Sequence, residues 1–504
     1  MSRNASVATE HPLASLAAVK ILESGGNAVD AAVAASFALA VVQHHQGGIG
    51  GDFFALVHEG ENGGVHCLNA SGWAPSGLTL AMIASKGCEA VPTYGACSAA
   101  IPGLVKGLCR MHERFGRKEF SALLSYPIKL AEEGFPVSHG FSAAISAHGG
   151  SLPPAARKLM ERNGRALRPG ELLRQDKLAL TLKAIVDDGP AIFYDGWIAE
   201  EIRDQLSADG VCTEIEDLSR FEPEWSQPLS ADYRGTTIYE MPPNSMGATT
   251  LLILAQLASV DFESHGPDSP ERISSMIEAA KIAYDRRDRE LGDPRFAQID
   301  LQAFLTPTNV GVPTGTRVSL AGGDTTNFAV VDNEGSIVSG IQSLFHPFGS
   351  RIFVEECGFF LSNRASSFKT AGPNKLEPRK RPLHTLSTLL LASDDEVKIA
   401  LGCSGGDYRP QQHALFITNL VDYSMTLEEA IDFPRFILSA DDTLLLEKGF
   451  ENQLELGRQI RLLDYPGPKG VAHGPTGVAH GVEVLDEGKK GVCDVRGDGI
   501  PMGF

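Results

Sequence analysis

Residues 28–42, Ala-Val-Asp-Ala-Ala-Val-Ala-Ala-Ser-Phe-Ala-Leu-Ala-Val-Val, constrain the fold more than any other stretch of the chain. Asn27 is placed to cap a helix here, and the alanines make that helix apolar nearly all round. A helix of that kind has no face to give to water, so it lies between layers. It is too short for a membrane span: the apolar run 31–42 is broken only by Ser36 and bounded by Asp30 and Gln43, whereas a span needs about 20 residues. A chain of 504 residues, 43% hydrophobic and 21% charged, can bury such a helix in two to four domains or in one large layered unit.

The charge balance excludes some partners. A net charge of −19 repels phosphate backbones and anionic lipid. The densest basic run, Arg379-Lys380-Arg381, is too short to offset it. Neither nucleic acid nor a membrane is therefore expected. The N-terminus has no apolar segment of the signal-peptide kind. Eight scattered cysteines without a C-x-x-C pair argue against a zinc site or disulfide framework. Reduced thiols in the cytoplasm are the expectation.

Leu13, Leu16, Ala17 and Ile21 recur at helical spacing, and Gly25-Gly26 stops that helix. Gly47-Gly48-Ile49-Gly50-Gly51 precedes a strand-like run, 53–57. The order helix–glycine–strand is the reverse of a dinucleotide loop, which sets phosphate against a helix N-terminus. The glycines instead read as a tight turn with close backbone approach. Most of the chain to about 305 reads helical, including 197–206 and a helix from Ser269-Pro270-Glu271 to about Arg289. Residues 233–243 read as a strand ending in a rigid turn. Residues 306–324, rich in Pro, Gly and Thr without a period, read as a linker. Strands then dominate: 325–332 and 336–343 flank Asn333-Glu334-Gly335, and 389–392 and 397–401 flank 393–396, both as hairpins.

Two places carry candidate nucleophiles. Gly402-Cys403-Ser404-Gly405-Gly406 fits G-x-S-x-G, with Asp441 or Asp442 and then His473 or His480 downstream, the chain order of an α/β-hydrolase. The short hairpins before it argue against Ser404, because a nucleophile elbow follows parallel βα units. The other place is the junction Asp324–Thr325. A threonine that opens a strand directly after Gly-Gly-Asp suits an N-terminal nucleophile. Cleavage of the 324–325 peptide would free an α-amino group, with a typical pKa of about 7.7–8, as base for the Thr325 hydroxyl. A plain linker followed by a strand-opening threonine is the competing reading of the same residues.

Ten motifs bear on that choice: Gly25-Gly-Asn-Ala-Val-Asp-Ala-Ala32, Gly48-Ile-Gly-Gly51, Tyr233-Arg-Gly235, Met241-Pro-Pro243, Leu291-Gly-Asp-Pro294, Asp324-Thr-Thr-Asn-Phe328, Phe348-Gly-Ser350, Lys380-Arg-Pro-Leu383, Ser404-Gly-Gly406 and Ala430-Ile-Asp-Phe-Pro-Arg435. In content and order they resemble the gamma-glutamyltransferase (gamma-glutamyltranspeptidase) family, over nearly the whole chain. The resemblance implies an α+β fold, the four-layer αββα sandwich of N-terminal-nucleophile hydrolases. It also implies a precursor that cuts itself into a mainly helical large segment, 1–324, and a strand-rich small segment, 325–504. On that resemblance Thr325 is the nucleophile, and Asn327 stands where the family has a His. Ser343 falls where the family has a Thr that hydrogen-bonds the nucleophile. Gly405 and Gly406 would offer N–H groups to the oxyanion, which makes Ser404 part of an oxyanion loop. No metal or organic cofactor is implied.

The pocket positions depart from the gamma-glutamyltransferase pattern. By motif register the large-segment Arg becomes Ser71, the Asn becomes Phe345, the Gln or Glu becomes Arg364, the Asp becomes Ser367, and the Ser-Ser pair becomes His384-Thr385. A carboxylate for the substrate ammonium is gone and a guanidinium has appeared. Arg364 and His384 suit a carboxylate with no neighbouring ammonium, unless Arg364 is a structural ion pair and His384 a hydrogen-bonded core residue. The pattern is similar to the subgroup of oxamate amidohydrolase and cephalosporin-acylase-like proteins. It implies hydrolysis of, or acyl transfer from, a small carboxylate-bearing amide, after assembly of the chain's own two segments. A true gamma-glutamyltransferase and an uncleaved, non-catalytic binding or scaffold protein are the alternatives, and a homo-oligomer is left open.

Overall fold

The computed structural model describes residues 1–60, 63–308, 324–450, 459–463 and 476–504. Most of the expected linker, 309–323, and His473 lie outside them. The all-apolar helix forms over Ala28–Val42 (α2, after α1 at Pro12–Glu23), and every one of its residues is buried. Asn27 and Asp30 close a reciprocal capping box at its start. The buried Asp30 carboxylate also accepts the backbone N–H groups of Arg117 and Lys118, so the one charge in the helix is hydrogen-bonded.

Two antiparallel sheets are formed by thirteen strands: β1 Ser6–Thr9, β2 Asp52–His58, β3 Val65–Ala70, β4 Glu224–Ser226, β5 Leu229–Tyr233, β6 Thr236–Glu240, β7 Asp324–Val331, β8 Ile337–Phe345, β9 Leu389–Ser393, β10 Glu396–Cys403, β11 Ala479–Leu485, β12 Gly488–Cys493 and β13 Met502–Gly503. The first sheet runs β13-β1-β7-β8-β2-β3-β4 and the second β12-β11-β10-β9-β6-β5. Period-2 alternation divides the side chains between three cores. Phe53, Ala55, Val57, Phe328 and Val330 face α1 and α2. Phe54, Leu56, Ala329 and Val331 meet Leu390, Ala392 and Val482 between the sheets. Leu389, Leu391 and Leu401 face three further helices, α3 Gly247–Leu257, α4 Pro270–Glu290 and α5 Arg409–Val421. The layering is αββα, as expected. Strands buried on both faces read as unbroken apolar runs, which is why 53–57 shows no alternation.

One strand differs from expectation. Residues 233–243 are not a single strand: Tyr233 ends β5, Arg234 and Gly235 turn with φ of 53° and 84°, and β6 returns. Two consecutive left-handed residues are what a two-residue hairpin with the native twist demands.

The glycine run packs under the two central strands. A Cβ at Gly47 would stand 2.7 Å from Thr326 Cγ2, at Gly50 2.1 Å from Phe360 O, and at Gly51 2.4 Å from Ser343 O. Glycine is required here for approach. Gly51→Ala should therefore lower stability by about 1–3 kcal/mol through overpacking, read as a lower urea midpoint at constant m; an unchanged midpoint would show that the β2–β8 contact yields.

Candidate active site

β7 and β8 pair from Val331–Ile337 up to Thr326–Gln342, then slip; the next pair is Asp324–Phe345. Thr325 therefore stands opposite two residues of β8, a bulge that re-aims side chains at the strand end. Phe345, at the far side of the slip, holds a φ of 82°, uncommon for a residue with a side chain. The bulge brings Thr325 Oγ1 to 3.1 Å from Ser343 Oγ, to which it donates. Ser343 Oγ also accepts the Phe345 N–H at 2.7 Å and donates to the Asp324 carbonyl at 2.8 Å. One proton and two lone pairs are thereby all used. Thr325 and Ser343 are both fully buried.

Directly across from Ser343 on β2 is Asp52, which reasoning from sequence missed. Its signal was a charge opening an otherwise apolar strand. Asp52 Oδ1 accepts the Gly72 N–H at 2.6 Å; Oδ2 lies 3.0 Å from His384 Nε2 and 3.4 Å from Arg364 Nε. Burial alone would raise this carboxyl, but His384, then Arg364 and the Gly72 N–H, hold it below its ordinary value. Burial, and then the Arg364 charge, push His384 down to about 3. Its Nδ1 accepts the Leu386 N–H, so the ring is neutral. His384 is thus an internal hydrogen-bonding residue and supplies no cation to a substrate. Arg364 is fully buried, its pKa lowered by burial to about 10 against the pull of Asp52. One terminal nitrogen donates to Thr385 Oγ1 at 3.0 Å. The other, Nη2, has no acceptor among the described residues. The Phe345 ring covers the guanidinium at 4.0 Å.

A cavity of about 450 Å³ lies beyond Phe345 and His384, lined also by Ser367, Thr385, Asp288 and Asp407; Thr325, Ser343, Arg364, Gly405 and Gly406 do not line it. Ser367 donates to the Arg364 carbonyl. Ser71 is not at the cavity; its hydroxyl donates to Asn69 Oδ1 at 2.7 Å, and its neighbour Gly72 supplies the N–H to Asp52. Gly405 and Gly406 take φ of 125° and 56°, and a Cβ on Gly405 would meet Gln412 Oε1 at 2.5 Å. Consecutive residues of this kind form N–H concavities that favour anions. Ser404 Oγ accepts the Val478 N–H at 2.8 Å. His480 instead faces Asn327, Nδ1 to Oδ1 at 3.1 Å, while Asn327 Nδ2 donates to the His480 carbonyl. Asn327 thus ties the first sheet to the second. Asp441 binds Ser439 and Asp442 pairs with Lys281, so among the described residues no triad forms on Ser404. No group of His, Cys, Asp and Glu among them could hold a metal ion, and no helix is long and apolar enough to cross a membrane.

Asp52→Asn should leave Arg364 buried without a carboxylate, at a cost of about 3–5 kcal/mol. Because the folded Asp52 value is depressed, its contribution is present above the unfolded value of 3.8 and lost as pH falls below it. Denaturant titrations should show the full gap between wild type and variant at about pH 6 and a smaller one at about pH 3. A gap that does not vary with pH would place the stabilisation elsewhere.

Comparison with known proteins agrees with this geometry. The family model for Gamma-glutamyltranspeptidase matches residues 14–504. The chain is 35% identical to the Glutathione hydrolase-like YwrD proenzyme of Bacillus subtilis, over 99% of this chain and 98% of that one. It is 32% identical to the Oxamate amidohydrolase proenzyme of Klebsiella pneumoniae, covering 90% of each. The cephalosporin acylase structure from Bacillus halodurans superposes with a TM-score of 0.90 at 29% identity, over 100% of this chain and 96% of that one.

Proposed function

The chain belongs to the gamma-glutamyltranspeptidase family of N-terminal-nucleophile hydrolases, and we propose that within it this member cleaves itself before Thr325 and then hydrolyses a small, carboxylate-bearing amide. The observation that carries the reading is the Ser343 hydroxyl, which joins Thr325 Oγ1 to the Asp324 carbonyl oxygen. In self-cleavage Thr325 Oγ1 attacks the Asp324 carbonyl carbon, the Ser343 O–H supports the developing oxyanion, and as the C–N bond breaks the Thr325 nitrogen leaves as an amine carrying the proton that Oγ1 gave up. The resulting ester is hydrolysed by water, which frees the Asp324 carboxylate and the Thr325 amino group. In turnover that amine takes the hydroxyl proton as Oγ1 attacks the substrate carbonyl, then passes it to the leaving amine. The Gly405 and Gly406 N–H groups hold the oxyanion; donors of this kind are worth about 2.7–4 kcal/mol in a transition state. Water releases the acyl group.

Charge supports the substrate class. Among the described residues one Arg364 nitrogen has no acceptor, and a carboxylate that turned the Phe345 ring aside would meet it. The nearby carboxylates that could take a substrate ammonium already face cations: Asp52 is shared by Arg364 and His384, and Asp407 and Asp288, which line the cavity, lie 3.4 and 2.6 Å from Arg287. An unpaired buried charge costs several kcal/mol, so a zwitterionic γ-glutamyl group is disfavoured. Oxamate, the substrate named for one relative, places a carboxylate beside an amide and carries no ammonium.

The purified protein should run as two bands on a denaturing gel, split near residue 324, with Thr325 at a new N-terminus. Thr325→Ala should stay as one band, and Ser343→Ala should slow cleavage by about 100-fold or more. Against a panel, ammonia should be released from oxamate and related half-amides faster than anilide from a γ-glutamyl anilide. An intact chain under every condition, or preferential saturating turnover of the γ-glutamyl compound, would sink the proposal.

A further inference from the structure

Behind Gly405 and Gly406 lies a buried polar cluster that the reaction scheme does not use. Arg409, Gln412 and His413 sit at i, i+3 and i+4 of α5, on one face, and all three turn back onto the end of β10. Arg409 Nε donates to the Cys403 carbonyl at 2.7 Å, and Cys403 Sγ donates to Gln412 Oε1 at 3.1 Å. His413 lies against the same thiol, and its Nδ1 is 2.7 Å from Glu240 Oε1. The Ser387 hydroxyl donates to the second Glu240 oxygen. Glu240 ends β6 and Ser387 leads into β9, so both belong to the sheet that carries β10. Glu240, Ser387, Cys403, Arg409 and His413 are all fully buried.

A buried ion pair is a costly way to hold a helix, and well-packed apolar residues would hold it at least as firmly. What a charged, hydrogen-bonded pair adds is a single defined geometry at the point where strand becomes loop. We propose that the Glu240–His413 pair is a positioning device for the oxyanion loop: it locks the first turn of α5 to the second sheet, so that the Gly405 and Gly406 N–H groups stay aimed at the reacting carbonyl. The proposal rests on the oxyanion role read for these glycines above.

The pair is charged under ordinary conditions. Burial alone would lower His413, but Glu240 and then Cys403 raise it to about 9. Among the described residues, the titratable groups that bear on the ring are Glu240 from β6 and Cys403 from β10, with the charged Arg409 one turn earlier on the same helix. The folded value is raised, so the pair's contribution is complete below the free-imidazole value of 6.5 and is lost as pH rises through about 9.

The test uses the full chain and two independent readouts. Glu240→Gln keeps the shape and removes the charge; His413→Gln removes the ring. With the fold checked by circular dichroism, either variant should lower kcat by about 10- to 100-fold while KM on oxamate stays within about twofold. A group that acts only through the transition state requires that split. Wild-type kcat should fall above about pH 9 while the protein stays folded. Independently of turnover, amide hydrogen exchange across 402–408 should speed up by about tenfold in Glu240→Gln, and exchange across 28–42 should not change. Unchanged exchange over 402–408 in a folded variant overturns the proposal, as does a rise in KM with kcat preserved. If the wild type neither processes itself nor turns over an amide, the enzymatic reading fails, and the exchange comparison still decides the role of the pair.

Discussion

One hydroxyl group sets the terms for the centre of this molecule. Ser343 Oγ accepts a hydrogen bond from Thr325 Oγ1 and another from the Phe345 N–H, and donates its own to the Asp324 carbonyl. A regular antiparallel ladder would not allow this, because residues directly opposite each other meet at fixed spacing and the Asp324 carbonyl would point along the sheet. The bulge on β8 supplies the extra residue, and the left-handed Phe345 absorbs the change in direction. β2 then has to lie close against the Ser343 carbonyl, which is why Gly51 bears no side chain. A backbone irregularity, a strained residue and a glycine approach thus serve one set of three hydrogen bonds.

Buried charge is distributed on both sides of that centre. On the first sheet, one carboxylate, Asp52, faces a guanidinium and a neutral imidazole; on the second, Glu240 faces a charged imidazole with Arg409 nearby. The difference between the two histidines comes from their neighbours. Burial pushes both rings toward neutrality; at His384 the Arg364 charge adds to it, whereas at His413 Glu240 and then Cys403 together outweigh it. The same residue type is a neutral donor in one place and an ion in the other. Asp288 and Asp407, which line the cavity, both pair with Arg287, and Asp52 behind it is shared by Arg364 and His384.

The layers were legible in the sequence because they rest on local pattern. The helix at 28–42 is apolar nearly all round and the runs 53–57 and 328–331 are unbroken, a pattern that means burial on both sides. The hairpin at Asn333-Glu334-Gly335 follows from turn chemistry. The nucleophile junction was visible as a composition change, although separating it from an ordinary linker took a family resemblance. Asp52 was not visible, because its meaning depends on Arg364, 312 residues away. Asn327 was legible as a departure from a motif but not as a cross-sheet tie, since its partner His480 is brought near only by β11. The neutrality of His384 is likewise a property of its surroundings.

Strand order explains why a cut at 324–325 would leave the site standing. β7, which begins at the junction, is flanked by β1 from the first segment and β8 from the second; the other neighbour of β8 is β2, again from the first. In the second sheet β6 from the first segment pairs with β9 from the second. The first sheet thus sets β7 and β8 of the second segment between β1 and β2 of the first, the second sheet joins the segments at β6–β9, and side chains of both fill the same inter-sheet core. Breaking one peptide bond at the end of β7 removes no ladder: Phe328–Val331 stay paired to β1 and Thr326–Val331 to β8. On the proposed cleavage, the new amino group would arise at a position the surrounding sheet has already fixed, within reach of the hydroxyl it would serve.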